Sequence, residues 1–408
     1  MSGEQHVLAN GLTVAVDPLP GAESVVLGLY ASVGSRSERA PLSGLAHLVE
    51  HMVFKGAGGR DTRALAEVIE DVGGSLNAWT ARDQTVFHGR ALARDLPLVA
   101  ELIADLVRAP HFDEEHLARE KQVILSELGE SVDSPDDLVH DHLFEAAFEG
   151  QAIGRPVLGS EKTVRAIARQ DCLNWLQQFA PSRLVLAASG RVDPVEVLKL
   201  AEQLFGDMEA GKAPPIEQAR FTGGVRNDRR SFEQAHWCLA FEGCSAADPR
   251  NPALALFVQA LGGGTSSRLF QELREERGLA YSIYAWHQAF ADTGLVGIGC
   301  AAERARAAEA VQLAREVLAG TTESLTSAEL SRARAQMEAG LLMSLEGAQG
   351  RADHLARSIE VFGRIMSLAE LLEQIRAVTI EDARSAGQAL LDGPIAVASV
   401  GAKLALAA

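Results

Sequence analysis

The chain has 408 residues, 47% hydrophobic and 23% charged, which is apolar material for more than one core and predicts roughly two to three domains. Its formal net charge of −17 argues against a nucleic-acid partner, because phosphate binding wants a basic stripe, and weakly favours basic or neutral ligands. In chain order, Asn10-Gly11 between Leu8-Ala9 and Leu12 to Val16 signals a hairpin, and Ser24 to Gly34 reads as a strand. Arg36 to Ser43 is a polar loop leading into a short helix around residue 47. Thr62 to Val72 is helical, with Leu65, Val68, Ile69 and Val72 at helical spacing and Gly73-Gly74 as its stop. Ser75 to Ala91 reads as two strands turning near Arg82-Asp83. Helices follow over Leu96 to Val107, from Asp113 through Leu128, over Pro135 to Phe148 and over Glu161 to Phe179. Arg183 to Ser189 is a strand and Pro194 to Phe205 a helix.

The stretch from 211 to 230, with Gly211-Lys212-Ala213-Pro214-Pro215 and Gly223-Gly224, has linker composition. The remainder of the chain repeats the first part. A strand at His236 to Phe241 precedes helices at Pro252 to Leu261 and Ser267 to Glu276. Strands at Leu279 to Gln288 and Gly294 to Ala301 come next, then helices from Arg304 to Leu318, from Ser327 past Met343 and near Leu368 to Val378. The last strand is Ile395 to Val400. The expected division is therefore residues 1–210, a linker at 211–230, and a homologous domain at 231–408. Each domain is α+β, an antiparallel-rich sheet packed against helices.

The N-terminal MSGEQHVLANGLTVAVDP lacks the basic and apolar regions of a secretory signal, and no run approaches the ~20 apolar residues of a membrane span. Cys172, Cys238, Cys244 and Cys300 form no Cys-x-x-Cys pair and read as reduced thiols, so a cytoplasmic location without a membrane partner is expected.

Chemistry concentrates in Gly44 to Gly56, GLAHLVEHMVFKG. On a helix His47 and His51 share a face, and Glu50 joins the same arc. Two imidazoles can hold a metal, and a carboxylate beside them can take a proton from metal-bound water. The order His-x-x-Glu-His is the inverse of the commoner zinc-peptidase motif. A third ligand is needed. Glu120 and Glu127, two turns apart on one helix, share a face, although spacing alone does not separate them from a solvated stripe. At an offset of 204 the second part places Asn251 to Ala255 (NPALA) over His47 to His51, without a histidine. Gly262-Gly263-Gly264-Thr265 lacks the Gly-Lys of a phosphate loop, and His88, His140, His142 and His287 read as structural or solvated.

These segments resemble the M16 family of zinc metallopeptidases, which includes mitochondrial processing peptidase, insulin-degrading enzyme and bacterial two-domain relatives. The resemblance rests on Gly44 to Gly56, GGSLNAWTARDQTVFH (Gly73 to His88), REKQVILSE (Arg119 to Glu127), SPDDLVHDHLFE (Ser134 to Glu145), GRPVLGSE (Gly154 to Glu161) and SSRLFQELREERGLAYSI (Ser266 to Ile283). It implies that His47, His51 and Glu127 hold one Zn2+ per subunit, with Glu50 as general base and Glu120 as an accessory acid. It further implies that Arg274 and Tyr281 hold substrate and stabilise the tetrahedral intermediate, and that Asn77 and Ala78 lie on an edge strand to which a peptide adds. The family builds a closed chamber from four such domains. A homodimer with a composite active site is therefore expected, hydrolysing short or unfolded peptides. The alternative is a non-catalytic peptide-binding or assembly subunit of a heteromeric relative, whose usual sign is a degraded motif.

Overall fold

The computed structural model describes residues 3–211 and 215–404. Its strands are Glu4–Val7 (β1), Thr13–Pro18 (β2), Ser24–Ala31 (β3), the short pair Gly56–Ala57 (β4) and Arg60–Asp61 (β5), Ser75–Thr80 (β6), Thr85–Leu92 (β7), Leu184–Gly190 (β8), Gly224–Asp228 (β9), Gln234–Gly243 (β10), Ala280–Ala289 (β11), Gly294–Glu303 (β12) and Ile395–Val400 (β13). Its α-helices are Leu45–Val53 (α1), Thr62–Glu70 (α2), Leu96–Arg108 (α3), Glu114–Asp133 (α4), Pro135–Ala147 (α5), Glu161–Ala166 (α6), Arg169–Trp175 (α7), Pro194–Phe205 (α8), Asn251–Gly262 (α9), Ala307–Ser324 (α10), Ser327–Ser344 (α11), Ala348–Phe362 (α12), Leu368–Ala377 (α13) and Ile380–Leu391 (α14). Among the described residues no helix is long and apolar enough to cross a membrane.

The chain forms two compact units. The first takes the described residues within 1–128, 156–217 and 342–368. Its six-stranded sheet has the order β1-β2-β8-β3-β7-β6, with β2 and β8 parallel and the other neighbours antiparallel. Successive side chains point to opposite faces. Val14, Val16, Leu27, Leu29, Phe87 and Leu186 enter a core with α1, α3 and α8. The alternate residues Ala15, Val26, Tyr30, Val86 and Val185 pack against Ala352, Leu355, Ala356 and Ile359 of α12. Burial on both faces explains why β3 reads as a nearly unbroken apolar run.

The second unit takes the described residues within 129–155, 218–341 and 369–408. Its sheet order, β11-β12-β10-β13-β9, repeats that of β6-β7-β3-β8-β2, down to a parallel last pair, β13 with β9. Trp237, Leu239 and Phe241 of β10 face the core built with α9, α10 and α14. Cys238 and Ala240 face Leu138, Val139, Leu143 and Phe144 of α5.

The α+β fold with an antiparallel-rich sheet in each of two repeated halves is as expected, but the boundaries differ. Each unit recruits a helix from beyond the expected division: α12 covers the first sheet and α5 the second. The reason is that both faces of each sheet are apolar, and the helices contiguous with each half cover only one. The expected linker at 211–230 contains β9, whose polar residues conceal a strand held by its pairing with β13; its Lys212, Ala213 and Pro214 lie outside the described residues. The single helix expected over Glu161 to Phe179 breaks between α6 and α7, where Ile167 and Ala168 are extended and the Asp171 carboxylate accepts the Ala168 N–H at 2.8 Å. The helix expected at Ser267 to Glu276 is a π-helix over Phe270–Glu276.

Candidate metal centre

Helix α1 buries Leu45, Ala46, Leu48, Val49, Met52 and Val53 against the first unit's core, which turns His47, Glu50 and His51 to its remaining face. Its start is fixed from outside the helix. The buried Glu38 carboxylate accepts the Gly44 N–H at 2.9 Å and the Ala46 N–H at 2.7 Å, supplying negative charge and two acceptors to free N–H groups at the helix N-terminus. Gly44 itself has φ +96°, and a Cβ there would stand 2.7 Å from the Leu158 carbonyl oxygen. The GRPVLGSE segment therefore packs directly on the entry to α1.

Helix α4 buries Leu117, Glu120 and Ile124 and carries Glu127 one turn beyond Ile124. Glu127 Oε1 lies 3.7 Å from His51 Nε2, and its Oε2 lies 3.9 Å from His47 Nε2. The two imidazole centroids are 4.6 Å apart. One ligand atom from each of His47, His51 and Glu127 falls within 4.8 Å of the others. Donors of a tetrahedral zinc with bonds of about 2.1 Å stand about 3.4 Å apart, so two imidazoles and a carboxylate at this spacing fit that ion with little adjustment. Burial, reinforced by His51, pushes the His47 pKa down to about 4, which keeps the imidazole in its neutral, metal-binding form.

Glu120 meets the other nitrogen of His51, with Oε2 3.2 Å from Nδ1, while its Oε1 lies 3.0 Å from the Lys55 ammonium. A carboxylate in this place favours the tautomer with the proton on Nδ1 and leaves Nε2 for a metal. Glu50 is placed differently. Its Oε2 is buried without a hydrogen-bond partner, and burial raises its pKa. The Thr80 hydroxyl, at the end of β6, is near enough to oppose that rise without completing a hydrogen bond.

Asn77 and Ala78 lie on β6, at the edge of the first sheet. Asn77 Oδ1 accepts the Ala78 N–H at 2.9 Å. Among the described residues no strand pairs with the outer edge of β6, so its backbone can receive an added strand. Arg274 and Tyr281 are brought together within the second unit, with the Arg274 guanidinium 4.7 Å from the Phe270 ring centre and 6.0 Å from that of Tyr281. The register of β11 slips between Ala280 and Ser282. Tyr281 is thus the extra residue of a bulge, and it is 74% exposed. Helix α9, the counterpart of α1, carries no histidine. Glu38, Lys55 and Thr80 were not singled out from the sequence. Lys55, four positions after His51, carried a detectable signal. Glu38 carried only the presence of an acid in the loop before the helix.

Residues 13–161 match the family model described as insulinase (peptidase family M16), and residues 166–337 match the one described as the peptidase M16 inactive domain. An uncharacterized zinc protease of Streptomyces coelicolor is 34% identical over 94% of this chain and 86% of its own length. The uncharacterized zinc protease YmxG of Bacillus subtilis is 30% identical over 97% of this chain and 98% of its own. A peptidase M16 inactive domain from Pseudomonas fluorescens shares the fold, with a TM-score of 0.91 at 23% identity over 99% of both chains. A protease from Helicobacter pylori does so with a TM-score of 0.91 at 20% identity, over 98% of this chain and 99% of that one. Matched across both of its halves and along nearly the whole length of its relatives, the chain belongs to peptidase family M16.

Proposed function

We propose that the protein is a zinc-dependent endopeptidase of short or unfolded peptides, with His47, His51 and Glu127 as ligands of one zinc ion per subunit and Glu50 as general base. The observation that carries this reading is the convergence of those three donors within 4.8 Å beside a buried carboxyl with an unpartnered oxygen. Zinc supplies Lewis acidity, which brings water within reach of deprotonation near neutral pH. Glu50 takes that proton and returns it to the departing amine, acting first as general base and then as general acid. Glu120, braced by Lys55, orients the His51 ring. The free edge of β6 at Asn77 and Ala78 aligns the substrate backbone by strand addition, which demands little of its sequence. Arg274 and Tyr281 donate hydrogen bonds to the substrate and to the developing oxyanion.

The active form in this reading is a cytoplasmic homodimer enclosing a chamber, in which Arg274 and Tyr281 of one subunit serve the zinc site of the other. A chamber admits extended peptides and spares folded proteins. The second reading is a peptide-binding or assembly subunit, and the retained His47, Glu50, His51 and Glu127 weigh against it. The test is cleavage of a mixed pool of unstructured peptides by wild type beside Glu50→Gln. Cleavage by wild type alone supports the peptidase. Zinc binding without cleavage by either supports the second reading. Recovered activity on mixing Glu50→Gln with Tyr281→Phe subunits is expected of the composite dimer, and a fully active monomer refutes it.

A further inference from the structure

Two buried polar atoms beside the proposed centre lack partners of opposite kind. Glu50 Oε2 needs a donor, the Thr80 hydroxyl needs an acceptor, and among the described residues neither atom has a hydrogen bond. They belong to adjoining elements, since α1 packs on β6. Leu76 and Ala78 of β6 enter the core shared with α1, and Thr80, two residues on, lies on that same face. The Thr80 hydroxyl is close enough to Glu50 to favour its ionised form, and the charges of His51 and Glu127 reach the same carboxyl. Thr85, across the ladder from Thr80, is already engaged, its hydroxyl donating to the Val33 carbonyl at 2.8 Å.

One loop ties down both groups. The Ser35 and Arg36 N–H groups donate to the Ala81 and Arg82 carbonyls at 3.0 and 2.8 Å, directly beyond Thr80. Glu38 of the same loop accepts the Gly44 and Ala46 N–H groups at the start of α1. The approach to β6 is tight: a Cβ on Gly34 would stand 2.3 Å from the Ala81 carbonyl oxygen, so only glycine fits there. The end of β6 and the helix bearing Glu50 are therefore fixed relative to each other. Thr80 is β-branched, with a restricted χ1, so its hydroxyl is carried in a narrow range of directions. Glu50 is the looser partner, with several side-chain torsions and no hydrogen bond on its buried oxygen. A general base works only with its oxygen within hydrogen-bond reach of the proton it takes. Anchoring one carboxylate oxygen sets the direction of the other.

We propose that Thr80 is a positioning residue for the general base: its hydroxyl donates to the Glu50 carboxylate and aims the other oxygen at the space between His47, His51 and Glu127. The proposal rests on the peptidase reading, to which it adds the residue that orients Glu50. The test compares full-length wild type, Thr80→Val and Thr80→Ser, each loaded with zinc and its metal content measured, on one internally quenched peptide that wild type cuts. Valine keeps the shape and removes the hydroxyl, whereas serine keeps the hydroxyl. Thr80→Val should lose kcat by about 10–100-fold, the scale of a misplaced catalytic group, with KM changed by less than about twofold. Thr80→Ser should recover most of that loss. Equal losses in the two variants, or a higher KM at unchanged kcat, overturn the proposal. A second readout needs no catalysis: the melting temperatures of metal-free wild type, Thr80→Val, Glu50→Ala and the double variant in mildly alkaline buffer. Thr80→Val should lower the melting temperature by about 3 °C or more beyond its effect in the Glu50→Ala background. Equal shifts in the two backgrounds overturn the pairing and leave the peptidase reading standing. A wild type that cuts no peptide defeats the peptidase reading and with it any role of Thr80 in catalysis, while the melting comparison still reports whether Thr80 and Glu50 pair.

Discussion

Glu38 fixes the start of the helix that carries two of the proposed metal ligands. In Glu38→Gln one oxygen remains to accept an N–H, and the amide nitrogen meets the other N–H donor to donor. Leaving one buried N–H unpaired costs about 1–3 kcal/mol, and removing the charge from the helix N-terminus costs about 0.3–1 kcal/mol more. The expected loss is therefore about 1.3–4 kcal/mol, which corresponds to a fall in melting temperature of roughly 3–16 °C for a unit of this size. Differential scanning calorimetry on the metal-free protein reads that loss. Competition with a chromophoric chelator reads the second consequence, weaker zinc binding as α1 loses its fixed start. A variant that melts with wild type and holds zinc equally well refutes the argument that Glu38 anchors α1.

Three further predictions concern residues around and beyond the centre. Glu127→Ala should lose zinc on dialysis, as measured by metal analysis, and full retention would refute its assignment as a ligand. Lys55→Met should weaken zinc binding by about tenfold by leaving Glu120 without its ammonium partner, with Lys55→Arg recovering most of it; unchanged affinity would show that the brace is idle. In the second unit, Arg268 grips both oxygens of Glu329 at 2.6 and 2.8 Å and, with Thr326, holds its pKa down to about 2. The folded value is depressed, so the stabilisation is complete above the ordinary value of 4.5 and fades as pH falls toward 2. The melting gap between wild type and Glu329→Gln should narrow over that window, and a constant gap would refute the linkage.

The chemistry of the proposed centre was more legible than the wiring of the fold. His47, Glu50 and His51 sit on one short helix, so a spacing of three and four positions brings them together without any tertiary information. Glu120 and Glu127 declared only a shared face; which carboxylate meets the imidazole Nε2 atoms and which meets Nδ1 is decided by how α4 packs against α1. Glu38 was invisible for the same reason, since the Gly44 and Ala46 N–H groups that it accepts lie across a loop from it. Strand β9 was missed because Arg226, Asn227 and Asp228 show no apolar alternation, and it is defined by its ladder with β13. Helix α12 carries Ala352, Leu355, Ala356 and Ile359 at helical spacing, but nothing local indicates that this stripe belongs to a sheet completed far earlier in the chain.

That last attachment constrains synthesis as well as architecture. All six strands of the first sheet have been translated by Gly190, but the face bearing Tyr30 and Val86 stays bare until α12 leaves the ribosome. Helix α5 meanwhile emerges before any strand of the sheet it covers. A nascent chain therefore exposes apolar surface for much of its translation, and a gene fragment ending at 217 yields a sheet with one uncovered side. Such a fragment should precipitate when expressed alone and become soluble when the remainder of the chain is supplied alongside it.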